Sequence, residues 1–131
     1  MASKKTVADN LKKNIALRYL ELEPEAMTVY SELIASNKDS APVYARLGNA
    51  YYSREMYDRA IEDYNKALAL DPEALATYNN RGMSYLRSNN LHMAVLDFKK
   101  ACDSGIQAAC KNLEMVVQGI KNKSKRNAIP H

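Results

Sequence analysis

Two consecutive segments of this chain carry the same residue pattern at a spacing of 34 residues. Residues 41–74 and 75–108 align without a gap. The matched pairs are aromatic or small: Tyr44 and Tyr78, Gly48 and Gly82, Tyr51 and Tyr85, Ala60 and Ala94, Tyr64 and Phe98, and Ala67 and Ala101. A period of this length with these residue types is typical of helix–turn–helix repeats. The sequence therefore predicts an all-α protein in which helix pairs stack on one another.

Small residues and helix caps agree with this prediction. Gly48 and Ala60 would let two antiparallel helices approach closely, and the aromatic side chains would fill the space between helix pairs. Ser40 before Ala41-Pro42 and Asp71 before Pro72 have the composition of helix N-termini. Gly105 is placed to end a helix as its C-cap.

The first aligned segment resembles the tetratricopeptide repeat family. The resemblance rests on eight positions: Tyr44, Leu47, Gly48, Tyr51, Ala60, Tyr64, Ala67 and Pro72. In the second segment Arg81 replaces the usual Leu, and Ile106 replaces the usual Pro. The resemblance implies a short right-handed superhelix (an α-solenoid) of antiparallel helix–turn–helix repeats, in which the first helix of each pair lines a concave groove.

The remaining segments complete the predicted organisation. Residues 9–40 look like a degenerate first repeat, with Ile15-Ala16 and Tyr19 in the first helix and Ala26 and Tyr30 in the second. Residues 107–121 form an amphipathic helix that would cap the array. Residues 9–121 would then be one domain of about seven helices, between a flexible N-terminus (residues 1–8) and a disordered basic tail (residues 122–131).

Charge and hydropathy exclude several classes of protein. Residues 109–131 hold five Lys or Arg residues against Glu114 alone, so the net charge of +4 is concentrated there. Such a run can attract anions, but it is more often a solvated tail. No stretch is apolar enough to span a membrane, and no apolar run follows the basic N-terminus as it would in a secretory signal. We expect a cytoplasmic protein for which nucleic acid and membrane are poor candidates as partners.

The resemblance also implies which residues would face the concave groove. We predict a binding surface made of Lys13, Arg46, Asn49, Tyr52, Asn79, Asn80, Met83 and Arg87. The amides can both donate and accept hydrogen bonds, as an extended peptide backbone requires. The cations would favour an acidic segment or a C-terminal carboxylate.

One subgroup of the family binds chaperone tails through a clamp for two carboxylates. The clamp needs Lys and Asn on one first helix, Asn on the next, and Lys and Arg on the third. Counted from residue 41, Asn49 and Asn80 match, whereas Ala45, Cys110 and Glu114 do not. Counted from the degenerate repeat, Lys13 is the matching residue. We therefore do not expect this clamp.

Cys102 and Cys110 allow two interpretations. The segment from Ala101 to Leu113 resembles the linker of Sel1-like repeats, whose cysteine-rich members join this pair in a disulfide. A cytosolic location instead favours two free thiols that pack as small apolar residues. Two cysteines lack the further ligands of a closed zinc site, so no metal is expected.

The predicted function is a non-enzymatic interaction module or scaffold for a protein or peptide. The four glycines are isolated, so no phosphate-binding loop is present, and neither histidine belongs to a catalytic pattern. No cofactor and no small-molecule substrate are expected. Two alternatives stay open: a scaffold that assembles with copies of itself, and contact with an anionic partner through the basic tail.

Overall fold

The computed structural model describes residues 40–128, and this part of the chain is entirely helical. It contains five helices, α1 (Ala41–Ser53), α2 (Tyr57–Leu70), α3 (Leu75–Arg87), α4 (Leu91–Asp103) and α5 (Gln107–Ala128). The predicted count of about seven is not matched within these residues. The two further helices were predicted on residues 9–40, which lie outside the described part. No helix within residues 40–128 is long and apolar enough to cross a membrane.

Each helix packs against its neighbour in the chain, and glycine allows the closest approaches. α1 packs on α2, α3 on α4, and the pairs are joined by α2–α3 and α4–α5 contacts. A Cβ atom on Gly48 would lie 2.6 Å from Cδ1 of the buried Tyr64, and one on Gly82 would lie 2.7 Å from Cε1 of Phe98. Real Cβ atoms do not come this close. The close approach predicted at Gly48 is present, but the atoms that face it most closely belong to Tyr64 and not, as predicted, to Ala60.

Three turns within residues 40–128 share one hydrogen-bonded geometry. In the α1–α2 turn, the amide of Glu55 donates to the carbonyl of Tyr52, and the amide of Met56 donates to that of Tyr51. The equivalent donors are Asn89 and Asn90 after α3, and Gly105 and Ile106 after α4. This is a Schellman motif, whose central residue has a positive φ. The φ values are +60° at Glu55, +62° at Asn89 and +102° at Gly105.

The turn between the two helix pairs is built differently. α1 begins as predicted, because Ser40 caps it by accepting from the amide of Val43 at 3.5 Å. The predicted helix start at Asp71-Pro72 is wrong, because α3 begins at Leu75. Asp71 instead accepts from the amide of Glu73 at 3.1 Å, which stabilises the turn itself.

An ion pair explains the residue at which the second repeat departs from the family pattern. Arg81 donates through Nε and Nη2 to the two carboxylate oxygens of Asp97, both at 2.8 Å. Its Nη1 donates to Asn65 of α2, also at 2.8 Å, which joins the first pair to the second. The guanidinium lies 5.5 and 5.8 Å from the ring centres of Tyr78 and Tyr85. The hydrogen bond with Asp97 is the main cause that raises the pKa of Arg81.

α5 repeats the burial pattern of α3 at a spacing of 32 residues rather than 34. Thr77 and Ser84 are buried on α3, and Ala109 and Val116 are buried on α5. The difference arises because α4 has 13 residues where α2 has 14, and the turn after α4 has one residue fewer than the turn after α2. The predicted second repeat, residues 75–108, therefore runs into the first two residues of α5.

The C-terminal part of α5 corrects the predicted tail. Residues 122–128 were expected to be disordered, but they continue α5 to Ala128. Lys and Arg are good helix formers, and their charge is favourable at a helix C-terminus. The outer side of α5 is polar, as an end helix requires, and it carries the exposed residues Glu114, Lys121 and Lys125.

The two cysteines are bonded to each other. Sγ of Cys102, at the end of α4, is 2.03 Å from Sγ of Cys110, in the first turn of α5. Their Cα atoms are 4.7 Å apart, because the tight turn at Gly105 brings the two helix ends together. The structure thus has the disulfide implied by the Sel1-like resemblance and not the free thiols expected for a cytosolic location.

Candidate functional site

An open cleft of about 430 Å³ lies where α1 and α3 meet, at the side of the fold predicted to be concave. Its lining side chains are Asn49, Tyr52, Ser53, Tyr64, Asn80 and Met83. Four of these, Asn49, Tyr52, Asn80 and Met83, are predicted groove residues. They come from two different repeats, so stacking of the repeats brings them together.

The amide of Asn49 is at the centre of this cleft. Its Oδ1 accepts a hydrogen bond of 2.5 Å from the hydroxyl of Tyr64 and another of 3.3 Å from Nδ2 of Asn80. Burial, followed by the charges of Tyr52 and Asp63, raises the pKa of Tyr64. Its hydroxyl is the donor in the bond to Asn49. These bonds fix the orientation of both amides. Nδ2 of Asn49 and Oδ1 of Asn80 have no further bond to the described part of the chain.

A second amide pair continues the same surface onto α5. Nδ2 of Asn112 donates to Oδ1 of Asn79 at 3.0 Å. Asn79, a predicted groove residue, is thus bonded to α5 and does not line the cleft. Asn112 occupies on α5 the position that Asn80 occupies on α3, 32 residues earlier. Sequence analysis missed Asn112 because a 34-residue register places this amide elsewhere.

The predicted cations lie around the cleft rather than in it. Arg87 is exposed at the end of α3, and a hydrogen bond with the hydroxyl of Tyr52 is the largest cause that raises its pKa. Tyr52 also packs edge-on against Tyr57, with ring centres 5.5 Å apart. Arg46 is exposed on α1, one turn before Asn49. Lys13 lies outside the described residues.

Two further residues line the cleft, and sequence reasoning missed the role of one of them, Tyr64. Tyr64 had been given a packing role, and its ring does pack against Gly48, but its hydroxyl reaches Asn49. Ser53 follows Tyr52 at the end of α1 and donates to the backbone carbonyl of Asn49 at 3.0 Å. Within residues 40–128, no group of three or more His, Cys, Asp or Glu could hold a metal ion.

The matches to family profiles fall on the two helix pairs. Family profiles described as tetratricopeptide repeat match residues 41–74 and 75–104. The second match ends at the C-cap of α4, Ser104, which is the first residue of the shortened turn.

Among characterised relatives, Hsp70-Hsp90 organizing protein 3 of Arabidopsis thaliana is 27% identical over 79% of this chain and 18% of its own length. Stress-induced-phosphoprotein 1 of Caenorhabditis elegans is 33% identical over 51% of the chain and 21% of its own length. Dynein axonemal assembly factor 4 of Rattus norvegicus is 38% identical over 43% of the chain and 13% of its own length. The chain thus spans about a fifth or less of each of these relatives. Residues 41–104 of this chain are therefore similar to two tetratricopeptide repeats.

Proposed function

We propose that this chain is a non-enzymatic protein-interaction module. In this proposal the helix pairs form a short right-handed superhelix, and the cleft between α1 and α3 is part of a concave groove that binds an extended peptide segment. The observation that carries the proposal is the bond of Asn80 to Asn49, which leaves one amide donor and one amide acceptor in the same cleft.

The chemistry of these two amides suits a peptide main chain. An extended peptide presents a carbonyl and an N–H group in turn along its length. Nδ2 of Asn49 can donate to the carbonyl, and Oδ1 of Asn80 can accept from the N–H group. Because Tyr64 and Asn80 already hold the amide of Asn49, binding would cost little side-chain entropy. Met83 offers adaptable apolar contact beside them.

The surroundings of the cleft also favour binding over catalysis. Its six lining residues include no carboxylate, histidine or cysteine. General acid–base chemistry depends on such groups. Arg87 at its edge would favour an acidic segment in the partner.

The relatives named for Hsp70 and Hsp90 are similar to this chain in sequence, but we do not carry those partners over. The clamp of the chaperone-binding subgroup needs Lys and Arg on a third first helix. In the 32-residue register seen here, those positions of α5 hold Ala108 and Asn112, neither of which is basic. We therefore propose a peptide ligand that is not held by two clamped carboxylates.

Affinity capture from cell extract tests the proposal with three baits. Asn49→Asp keeps the oxygen that accepts from Tyr64 and Asn80 but removes the donor Nδ2. Asn127→Asp makes the same change of charge on the exposed end of α5 and is the matched control. A partner captured by wild type and Asn127→Asp but lost from Asn49→Asp supports groove binding. Equal capture by all three would place the interaction elsewhere, and recovery of further copies of this chain alone would favour self-assembly.

The basic end of α5 supports a second candidate function, contact with an anionic partner. Lys121, Lys123, Lys125 and Arg126 are all exposed on a continuous helix. Such an interaction depends steeply on salt, because counterions are released on binding. Binding that is lost between low and high salt, and also lost when these four residues are changed to Gln, would support it.

A further inference from the structure

Met115 of α5 is a large apolar residue that is exposed and does not belong to the hydrophobic core. Its exposed fraction is 54%, the largest among the large apolar side chains of residues 40–128. Other apolar residues of α5 belong to the core. Val116 is buried together with Ala94 and Phe98 of α4, and Leu113 and Ile120 pack against this cluster. A large apolar side chain left in water beside a polar groove marks a candidate contact surface.

The amide pair between α3 and α5 locates Met115 relative to the cleft. Asn112 is bonded to Asn79. Met115 follows Asn112 by three residues, and Met83 follows Asn79 by four, so each methionine lies about one helical turn beyond the bond. Because each helix of the array reverses the direction of the one before it, α3 and α5 run the same way. The two methionines therefore occupy equivalent positions, 32 residues apart, on adjacent first helices.

The charge of this surface is one-sided. The predicted groove-facing positions of α1 and α3, and the positions of α5 that lie 32 residues after those of α3, hold no Asp or Glu within residues 40–128. They include Arg87 at the end of α3 and Lys111, which is exposed one residue before Asn112. A partner segment that crosses α3 and α5 would meet apolar contact between the methionines and positive charge on either side.

We propose that the groove extends from the cleft across Met83 to Met115, where it selects an apolar side chain of the partner that is flanked by acidic residues. This inference rests on the proposed peptide binding and adds a specificity subsite on α5. Thioether side chains are flexible and polarizable, so the subsite would accept Leu, Ile, Met or Phe. Asn112, held by Asn79, fixes the distance between α3 and α5 at this point.

Selection from random octapeptide libraries tests the inference. One phage library displays the peptides with a free C-terminus, and a second displays them inside a coat-protein loop. The baits are wild type, Met115→Ser and Leu96→Ser. Leu96 is the matched control, because it is 50% exposed on α4, a second helix, and not on a groove-lining one. Thermal unfolding of the three baits shows that each is folded.

We expect wild type and Leu96→Ser to enrich peptides with one apolar position beside Asp or Glu. Met115→Ser should lose the preference at that position, and a selected peptide should bind it roughly tenfold more weakly, as expected when burial of one large apolar side chain is reduced. Peptides that lack an apolar position, or that bind Met115→Ser and wild type equally, would overturn the subsite and leave groove binding intact. If no library yields a binder for any bait, the proposed function fails together with the subsite.

Discussion

The side-chain oxygen of Asn49, on α1, lies 2.5 Å from the hydroxyl of Tyr64, on α2. Asn49 is exposed and belongs to the proposed binding surface, whereas Tyr64 is buried in the core of the first repeat. The side-chain oxygen of Asn49 therefore stabilises the fold, whereas its side-chain nitrogen is available to bind a partner. These two roles can be separated by the choice of substitution.

Asn49→Ala should destabilise the protein, because it leaves the hydroxyl of Tyr64 without its acceptor. We expect a loss of about 1–2 kcal/mol in the free energy of unfolding, the usual cost of an unsatisfied polar group. Asn49→Asp keeps an acceptor oxygen and should unfold close to wild type. Urea denaturation of both variants measures the difference, and equal stability of the two would show that the bond to Tyr64 contributes nothing.

Gly82→Ala should destabilise the second repeat, because its Cβ would lie 2.7 Å from the ring of Phe98. We expect a cost of about 1–3 kcal/mol from overpacking. Gly119, on α5, is the control, since a Cβ there meets nothing within 4 Å. Gly119→Ala should raise stability by about 0.5–1 kcal/mol through helix propensity. Thermal unfolding that moved both variants in the same direction would contradict the close approach of α3 and α4.

Glu55→Gly should stabilise the protein, because Glu55 has a φ of +60° in the turn after α1. The left-handed conformation costs an ordinary residue about 1 kcal/mol and costs glycine little, so the melting temperature should rise by a few degrees. Asn89→Gly should give a smaller gain, because Asn tolerates the φ of +62° found there better than Glu does. A fall in melting temperature for Glu55→Gly would mean that its side chain contributes more than the backbone strain costs.

Arg81→Leu restores the residue usual in the family and should nevertheless destabilise the fold. Asp97 is only 4% exposed, and its carboxylate would lose both of its hydrogen bonds to Arg81. Leaving a buried charge without its partner costs about 3 kcal/mol or more. The double variant Arg81→Leu/Asp97→Leu should recover much of that loss, because no charge is left unpaired. A double-mutant cycle in urea measures the coupling, and a value near zero would contradict the importance of this pair.

Reduction of the Cys102–Cys110 bond should loosen α5 relative to α4. The bond closes a short loop, so its loss should cost about 2–3 kcal/mol. Hydrogen exchange should then rise mainly in the first turns of α5, where Asn112 contacts Asn79. The variant Cys102→Ser/Cys110→Ser should match the reduced protein. If reduction left both exchange and melting temperature unchanged, the bridge would play no part in holding α5.

The periodic pattern of residues 41–104 was sufficient to predict the helix pairs and to place on the groove side every residue that lines the cleft except Tyr64. The repeat fixes which side chains face which helix, so Asn49 and Asn80 could be placed on one surface before their bond was seen. Tyr64 was assigned to packing alone, because a sequence pattern shows which face a ring occupies but not where its hydroxyl ends.

The register of α5 could not be predicted in this way. α4 is one residue shorter than α2, and the turn after α4 is one residue shorter than the turn after α2. Neither deletion has a sequence signal of its own. The shift moves Asn112 and Met115 to the groove side. Likewise, the run from Lys121 to Arg126 suggested a disordered tail by its charge, whereas the helix propensity of its residues lets α5 continue.

Site-specific photo-crosslinking tests the central claim most directly. A photoreactive benzoylphenylalanine at Ser53 would lie in the cleft between α1 and α3, whereas one at Lys99 would lie on the exposed side of α4. Each protein is irradiated in cell extract, and the crosslinked segments are identified by mass spectrometry. The account predicts that Ser53→benzoylphenylalanine crosslinks to one extended segment of a partner and that Lys99→benzoylphenylalanine does not. Crosslinks to a partner from Lys99 with none from Ser53 would show that the partner binds a different face of the molecule.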